Sequence, residues 1–304
     1  MATAPSAFFG QYASPTELGF LLSNIPKGTD FETVVVSGPG PTSFGKSGGS
    51  KSVFEGSKKD EIFYTDGVQV KGGKGYDIVV QSEKNGILSD LKLDKSTEGG
   101  VITGTDDARI FGNKENNNLV GNDGDNLLKG GSGKDVLLGD DGDDKLVGGS
   151  GKDTLSGGEG DDALNGGGSN DRLFGLAGDD KLFGAGGKDT LIGGIGNDTL
   201  FGGHGADKLT GNEGSDVFGF LKGEKGLDVI NDFEAGVDKI DLSAFNTDFD
   251  KLKFKDNGDD VVVTVGQGKN AAKFKLLGYN SSDIDGSSPV TTSGHARLAV
   301  SSRW

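Results

Sequence analysis

The sequence predicts an all-β protein: a parallel β-roll, or solenoid, with a β-rich C-terminal cap and a short N-terminal helix. Three observations predict it. A nine-residue pattern of Gly, Asp and Leu runs through the middle of the chain without insertion. Glycine supplies 57 of 304 residues and proline only 6, which fits repeated tight turns and excludes collagen. Hydrophobic side chains make up only 32%, thin for a globular enzyme of this length, and no run of 18 apolar residues exists to span a membrane as a helix.

The repeat comes first. Between Gly121 and Gly219 eleven copies of nine residues follow one another in phase. The first position is always Gly, the fourth is Gly except at Ser169, and the eighth is Leu except at Phe218. The sixth is Asp at Asp135, Asp144, Asp153, Asp162, Asp171, Asp180, Asp189, Asp198, Asp207 and Asp216, with Asn126 in the first copy. A disordered acidic linker would not keep Leu at every eighth position. An ice-binding solenoid needs a regular rank of small polar residues, whereas the outward positions here vary (Lys145, Thr154, Ala163, Arg172, Lys181).

The pattern G-G-x-G-x-D-x-U-x resembles the nonapeptide of the RTX, or hemolysin-type, family of secreted calcium-binding proteins. The resemblance is specific over 121–219 and implies a calcium-binding β-roll and export by type I secretion. Residues Leu227–Phe233 and Gly236–Ser243 resemble the module that follows the repeats in serralysin-type members.

The chemistry can be read from the residues as well. Gly130-Gly131-Ser132-Gly133-Lys134-Asp135 is too rich in Gly for a helix or strand interior. Glycines at positive φ let the backbone curl and aim carbonyl oxygens inward, and the Asp adds a carboxylate. Such a hard-oxygen set, without nitrogen or sulfur, suits Ca²⁺. A three-residue strand such as Val136-Leu137-Leu138 follows each turn, and alternation makes the invariant Leu the core residue. The ninth position then faces outward, pairing Phe174 with Ile192 and Phe183 with Phe201 on adjacent coils.

Two copies make one coil, so turns 18 residues apart stack on one edge. One file holds Asn126, Asp144, Asp162, Asp180, Asp198 and Asp216; the other holds Asp135, Asp153, Asp171, Asp189 and Asp207. The candidate metal ligands are these side chains, the backbone at first-position glycines such as Gly130, Gly148, Gly166, Gly184 and Gly202, and Asp77 in the isolated upstream copy Gly72–Val80. Five interstices on one edge and four on the other give room for about nine Ca²⁺ ions. The block carries 19 acidic and 8 basic residues. Stacked carboxylates about 5 Å apart repel one another, so calcium binding is expected to be coupled to folding. The whole chain, at −16, is also expected to be repelled by nucleic acid and anionic lipid.

The flanks set the expected organisation: 1–52 an N-terminal segment with a short helix, 53–120 degenerate solenoid turns, 121–219 the regular roll, 220–285 a β cap, and 286–304 a tail. Ser14-Pro15-Thr16-Glu17 reads as a capping box, with Leu18, Leu21, Leu22 and Ile25 on one helical face. Thr103–Phe111 and Gly112–Val120 keep the apolar eighth position in Ile110 and Leu119, and Gly86–Leu93 alternates like a longer strand. Beyond the roll, Leu252–Lys255, Val261–Val265 and Lys273–Leu277 read as strands, with Asn257-Gly258 a hairpin turn. A solenoid end exposes its core layer and needs such a cap. The Ser/Thr-rich tail is compatible with an uncleaved type I secretion signal, and the N-terminus lacks the basic and apolar regions of a Sec signal peptide.

Catalytic motifs are decoys here. Gly40–Ser47 fits the Walker A spacing, but Pro41 removes an N–H and Gly48-Gly49-Ser50 is a poor helix start. Gly45–Gly49 fits G-x-S-x-G without an α/β scaffold around it. There is no Cys, no H-E-x-x-H, and His only at His204 and His295. The expected function is therefore a secreted, non-enzymatic calcium-binding protein with a structural or adhesive role at the cell surface or in extracellular matrix. A secreted effector on target membranes, or an accessory module of an RTX enzyme, are the alternatives. The outward aromatics are either covered by a flanking segment or form contacts in a homo-oligomer or surface array.

Overall fold

The computed structural model describes residues 31–35, 53–55, 60–65, 69–82, 90–247, 251–285 and 299–300. The expected helix around 14–25, the Walker-like stretch, residues 83–89 and most of the tail lie outside them. The fold is all-β, built of parallel solenoid coils, and its helical segments among the described residues are three short 3₁₀ turns. No helix among these residues is long and apolar enough to cross a membrane. The chain forms two compact units, 1–153 and 154–304.

In the first unit one sheet runs Phe31–Val35, Asp60–Thr65, Asp77–Ser82, Gly99–Thr103, Asn118–Val120, Val136–Asp141, each strand parallel to the next. The second runs Leu91–Lys92, Arg109–Phe111, Leu127–Ser132, Lys145–Ser150. Val53–Glu55 pairs separately with Gln69–Lys71. In the second unit one sheet runs Thr154–Glu159, Arg172–Ala177, Thr190–Ile195, Lys208–Glu213, Asp228–Ile230. The other runs Ala163–Gly168, Lys181–Gly186, Thr199–His204, Val217–Gly219, Lys239–Asp241. Successive copies therefore alternate between sheets, as a two-copy coil requires.

The register follows the sequence period: Leu128 faces Leu146, and Leu173 faces Leu191. Every eighth-position side chain from Leu128 to Phe218 is fully buried, so the core of each unit is a column of leucines. The strands are longer than the three residues the pattern suggests. Thr190–Ile195 continues past Leu191, and pairing skips the first-position Gly193 and resumes at Gly194↔Asn212. From Gly131 to Asn212 the second-position residue takes positive φ, which turns the chain without leaving the ladder.

At the C-terminal end of the second unit the first sheet changes direction. Ala272–Leu276 pairs parallel with Asp228–Ile230, then Asp260–Val265 and Lys253–Asn257 add antiparallel. Gly258, at φ 69, makes the tight turn between the last two. Val261, Val263, Val265, Phe274 and Leu276 are fully buried, and Phe220 stacks on Phe274 at 4.4 Å.

Candidate metal centre in the turns

All ten sixth-position aspartates are buried, none more than 2% exposed. Two strands and a Gly-rich turn hold each one with its two oxygens in different surroundings. The Oδ1 atom closes the turn onto its neighbour by accepting the N–H of the sixth-position residue one coil earlier. Asp171 donates to Asp189 and Asp189 to Asp207, both at 2.8 Å. On the other edge Asp162 donates to Asp180 at 2.8 Å, and Asp180 to Asp198 and Asp198 to Asp216 at 2.9 Å. In the first unit Asn126 donates to Asp144 at 2.7 Å and Asp135 to Asp153 at 2.8 Å. The two files read from the spacing are thus continuous side-chain ladders within each unit.

The Oδ2 atom is the chemically informative one. In Asp135, Asp180, Asp189, Asp198, Asp207 and Asp216 it is buried and accepts no hydrogen bond. A buried carboxylate oxygen without a donor is costly, and natural structures carry few of them. It lies against the first-position Gly of its own copy: a Cβ on Gly184 would stand 2.6 Å from Asp189 Oδ2, and one on Gly211 2.0 Å from Asp216 Oδ2. The first Gly is therefore required by space. Gly130, Gly166 and Gly202 abut their own aspartates in the same way, and Gly148 is buried within Lys145–Ser150. The fourth position is required by conformation. It has positive φ in every copy from Gly133 to Gly214, Ser169 at φ 90 included.

Burial pushes Asp135, Asp144 and Asp180 up to about 7, with the N–H bonded to Oδ1 pulling the other way. Asp189, Asp198 and Asp216 are pushed up to about 6 for the same reason, with neighbouring carboxylates adding to the rise. Each position holds a carboxylate poorly as an anion unless a cation joins it.

Asn126 shows what lines the cradle. Its amide nitrogen, in the place of Oδ2, donates to the carbonyls of Asn122 at 2.8 Å and Gly124 at 2.5 Å, and to Asp144 Oδ1 at 3.0 Å. All three partners are acceptors, so a donor or cation is what this spot takes. Only Oδ1 of Asn126 is left as a ligand oxygen. Asp77 is fully buried with the same neighbour, a Cβ on Gly72 falling 2.3 Å from its Oδ2, and its N–H donates to Glu98. Among the described residues no three His, Cys, Asp or Glu side chains converge on a point. Any cation here must take backbone carbonyls along with carboxylate, and the donor set is all oxygen, as hard cations prefer.

The fifth position carries a second ladder that periodicity alone did not reveal. Asp161 Oδ1 accepts the Asp179 N–H and Asp179 Oδ1 the Asn197 N–H, at 2.8 and 2.7 Å, outside the turn and in the opposite sense. Sequence could have signalled it: Asp, Asn and Ser favour such local backbone contacts.

A family profile, RTX calcium-binding nonapeptide repeat (four copies), matches the chain three times in succession, over 111–146, 147–182 and 183–218. Residues 111–218 are RTX calcium-binding nonapeptide repeats, and the β-roll is the structure they build. No curated protein matches the chain. Among solved structures it is similar to a subunit of the Azotobacter vinelandii mannuronan C5-epimerase, at 25% identity and TM-score 0.20, over 44% of this chain and 83% of that one. It is also similar to the extracellular lipase LipA of Serratia marcescens, at 16% identity and TM-score 0.20, over 70% of this chain. The chain spans 44% of the lipase's length.

Proposed function

We propose that this is a secreted, non-enzymatic protein, exported by type I secretion, whose calcium-loaded coils serve a structural or adhesive role at the cell surface or in extracellular matrix. The observation that carries the reading is the repeated buried Oδ2 without a hydrogen-bond donor, set beside turn carbonyls. In it the sixth-position aspartates Asp135 to Asp216, with Asp77 upstream, are ligands. Asn126 Oδ1 and the turn backbone at Gly130, Gly148, Gly166, Gly184 and Gly202 supply the remaining oxygens, for about nine ions in the regular array. Bound Ca²⁺ supplies positive charge where the files of carboxylates need it, so binding and folding are one event.

Far-UV circular dichroism tests this. Chelator should remove most of the β signal, and millimolar Ca²⁺, but not Mg²⁺, should restore it, because Mg²⁺ demands a tighter shell and keeps its waters. A spectrum indifferent to chelator and to Ca²⁺ would end the proposal.

The adhesive side of the reading has its own support. Phe183 and Phe201 stack at 5.3 Å on the outer face, with Phe183 38% exposed, and Leu176 and Ile195 are 49% and 62% exposed. Calcium lowers the repulsion between acidic copies, so assembly through these residues should require it. Light scattering across a calcium titration should show particles for wild type and none for Phe183→Ser/Phe201→Ser. A wild type that stays monomeric at saturating Ca²⁺ refutes self-assembly.

A further inference from the structure

Past the regular array the pattern restarts out of phase. Gly223-Glu224-Lys225-Gly226-Leu227-Asp228-Val229-Ile230-Asn231 repeats it three residues late, with Glu224 in the second position. The segment stacks as a coil. Gly205 N–H donates to the Lys225 carbonyl at 2.7 Å, Val229 N–H to the Asp207 carbonyl at 2.8 Å, and Asp207 N–H to Asp228 Oδ1 at 3.0 Å. A Cβ on Gly226 would stand 1.2 Å from the Gly205 carbonyl oxygen. These are the contacts of a regular coil, carried across a spacing of 21 residues instead of 18.

Glu224 is what sets this coil apart. Its neighbours Leu221, Lys222 and Lys225 are exposed, yet Glu224 itself is only 8% exposed. Both of its carboxylate oxygens are buried and accept no hydrogen bond, and Asp207 Oδ2 is in the same condition. A long, flexible acid beside solvent would ordinarily turn outward. Burial pushes Glu224 up to about 7, Asp207 adds to the rise, and the Leu221 N–H opposes it without closing a hydrogen bond. Burial likewise pushes Asp228 up to about 8, with Asp207 and Glu224 both contributing.

We propose that Glu224 and Asp207, with backbone carbonyls of the Gly202–Gly205 and Gly223–Gly226 turns, form a further Ca²⁺ site unlike those between regular coils. It rests on the calcium-binding reading above. Its distinction is a side-chain carboxylate entering from the second repeat position, where the regular copies supply none of comparable reach. No three of the carboxylates converge on a point, so carbonyls complete the shell. Asp207 and Asp228 border this interstice as paired aspartates border a regular one, so Glu224 adds one negative charge to it, and more negative charge around the ion means tighter binding. This site fills at lower Ca²⁺ than the rest.

Calorimetric Ca²⁺ titration of the full chain tests it, with Glu224→Gln and Glu224→Ala against wild type and the surface control Glu159→Gln. Both Glu224 variants should lose one ion from the tightest class, or bind it about tenfold or more weakly, while the control is unchanged. Circular dichroism at saturating Ca²⁺ checks that the variants fold. If Glu224→Ala does not, the near-isosteric Glu224→Gln carries the test. A folded Glu224→Gln protein with wild-type stoichiometry and an intact tightest class overturns the proposal and leaves the repeat sites standing. A wild type that binds no Ca²⁺ overturns both.

Discussion

In the proposed site Asp189 has a task for each of its two oxygens, and two substitutions separate them. Asp189→Asn keeps Oδ1, and with it the bond from the Asp171 N–H at 2.8 Å, while replacing Oδ2 by an amide. The fold accepts an amide at this repeat position, as Asn126 demonstrates by donating to the carbonyls of Asn122 and Gly124. Asp189→Ala removes both oxygens. It leaves a buried N–H without an acceptor, which costs about 1–3 kcal/mol. The Asn variant should weaken Ca²⁺ at the two interstices it borders; a tenfold loss at each amounts to about 1.4 kcal/mol. The Ala variant should show that loss and the hydrogen-bond loss together. At about 2 kcal/mol, the difference between the variants should be a Tm gap of about 4–8 °C at saturating Ca²⁺. Calorimetric titration gives the first quantity and thermal unfolding the second. If Asp189→Asn binds Ca²⁺ as wild type does, Oδ2 is not a ligand. If Asn and Ala variants melt together, the ladder bond contributes nothing.

Three further outcomes follow from the same geometry. Burial raises Asp135, Asp144 and Asp180 to about 7 and Asp189, Asp198 and Asp216 to about 6, so their stabilisation is fully present below the ordinary Asp value and lost as pH rises through 6 to 7. In chelator the β signal lost at pH 8 should therefore return in part at pH 5, and Ca²⁺ affinity should fall on acidification; a chelated protein with less β signal at pH 5 than at pH 8 would count against the buried carboxylates. Gly184→Ala puts a Cβ 2.6 Å from both Asp189 Oδ2 and the Gly202 carbonyl oxygen and should destabilise by about 1–3 kcal/mol, whereas Gly168→Ala meets nothing within 4 Å and should be neutral. Leu176 holds φ 92 and is 49% exposed, so Leu176→Gly should relieve about 1 kcal/mol of strain and raise Tm; a lowered Tm would show that its packing outweighs its backbone.

The roll was legible because two independent constraints share one period. Leu at every eighth position marks the column that must be dry, and Asp at every sixth marks the turn, so the period alone places Leu128 in the core and Asp135 in a turn. The outward pairing of Phe183 with Phe201 followed from strand alternation and is present as a stack. Periodicity does not state why a residue recurs. It gave no sign that the first Gly yields to a carboxylate while the fourth yields to φ. It also lost the thread at Gly219, because the coils ending in Ile230 and Ile240 keep the stacking but not the phase. Glu224 was invisible for the same reason, since only a restarted count places it at a repeat position.

The sixth-position ladder also has a direction, and one file shows how it stops. Each N–H along the file waits for an acceptor supplied by the following coil, and Asp216 receives its acceptor from Asp238 at 3.0 Å. Asp238 is a donor too, but its N–H turns back to the Glu234 carbonyl at 2.9 Å, within its own turn. The signal that recruits one coil onto the last is thus withdrawn at the end of this edge. A second molecule arriving end-on finds no donor there to template from, so the file terminates by chemistry and not by running out of chain. Along this edge, recruitment of a further coil by the sixth-position ladder stops at Asp238.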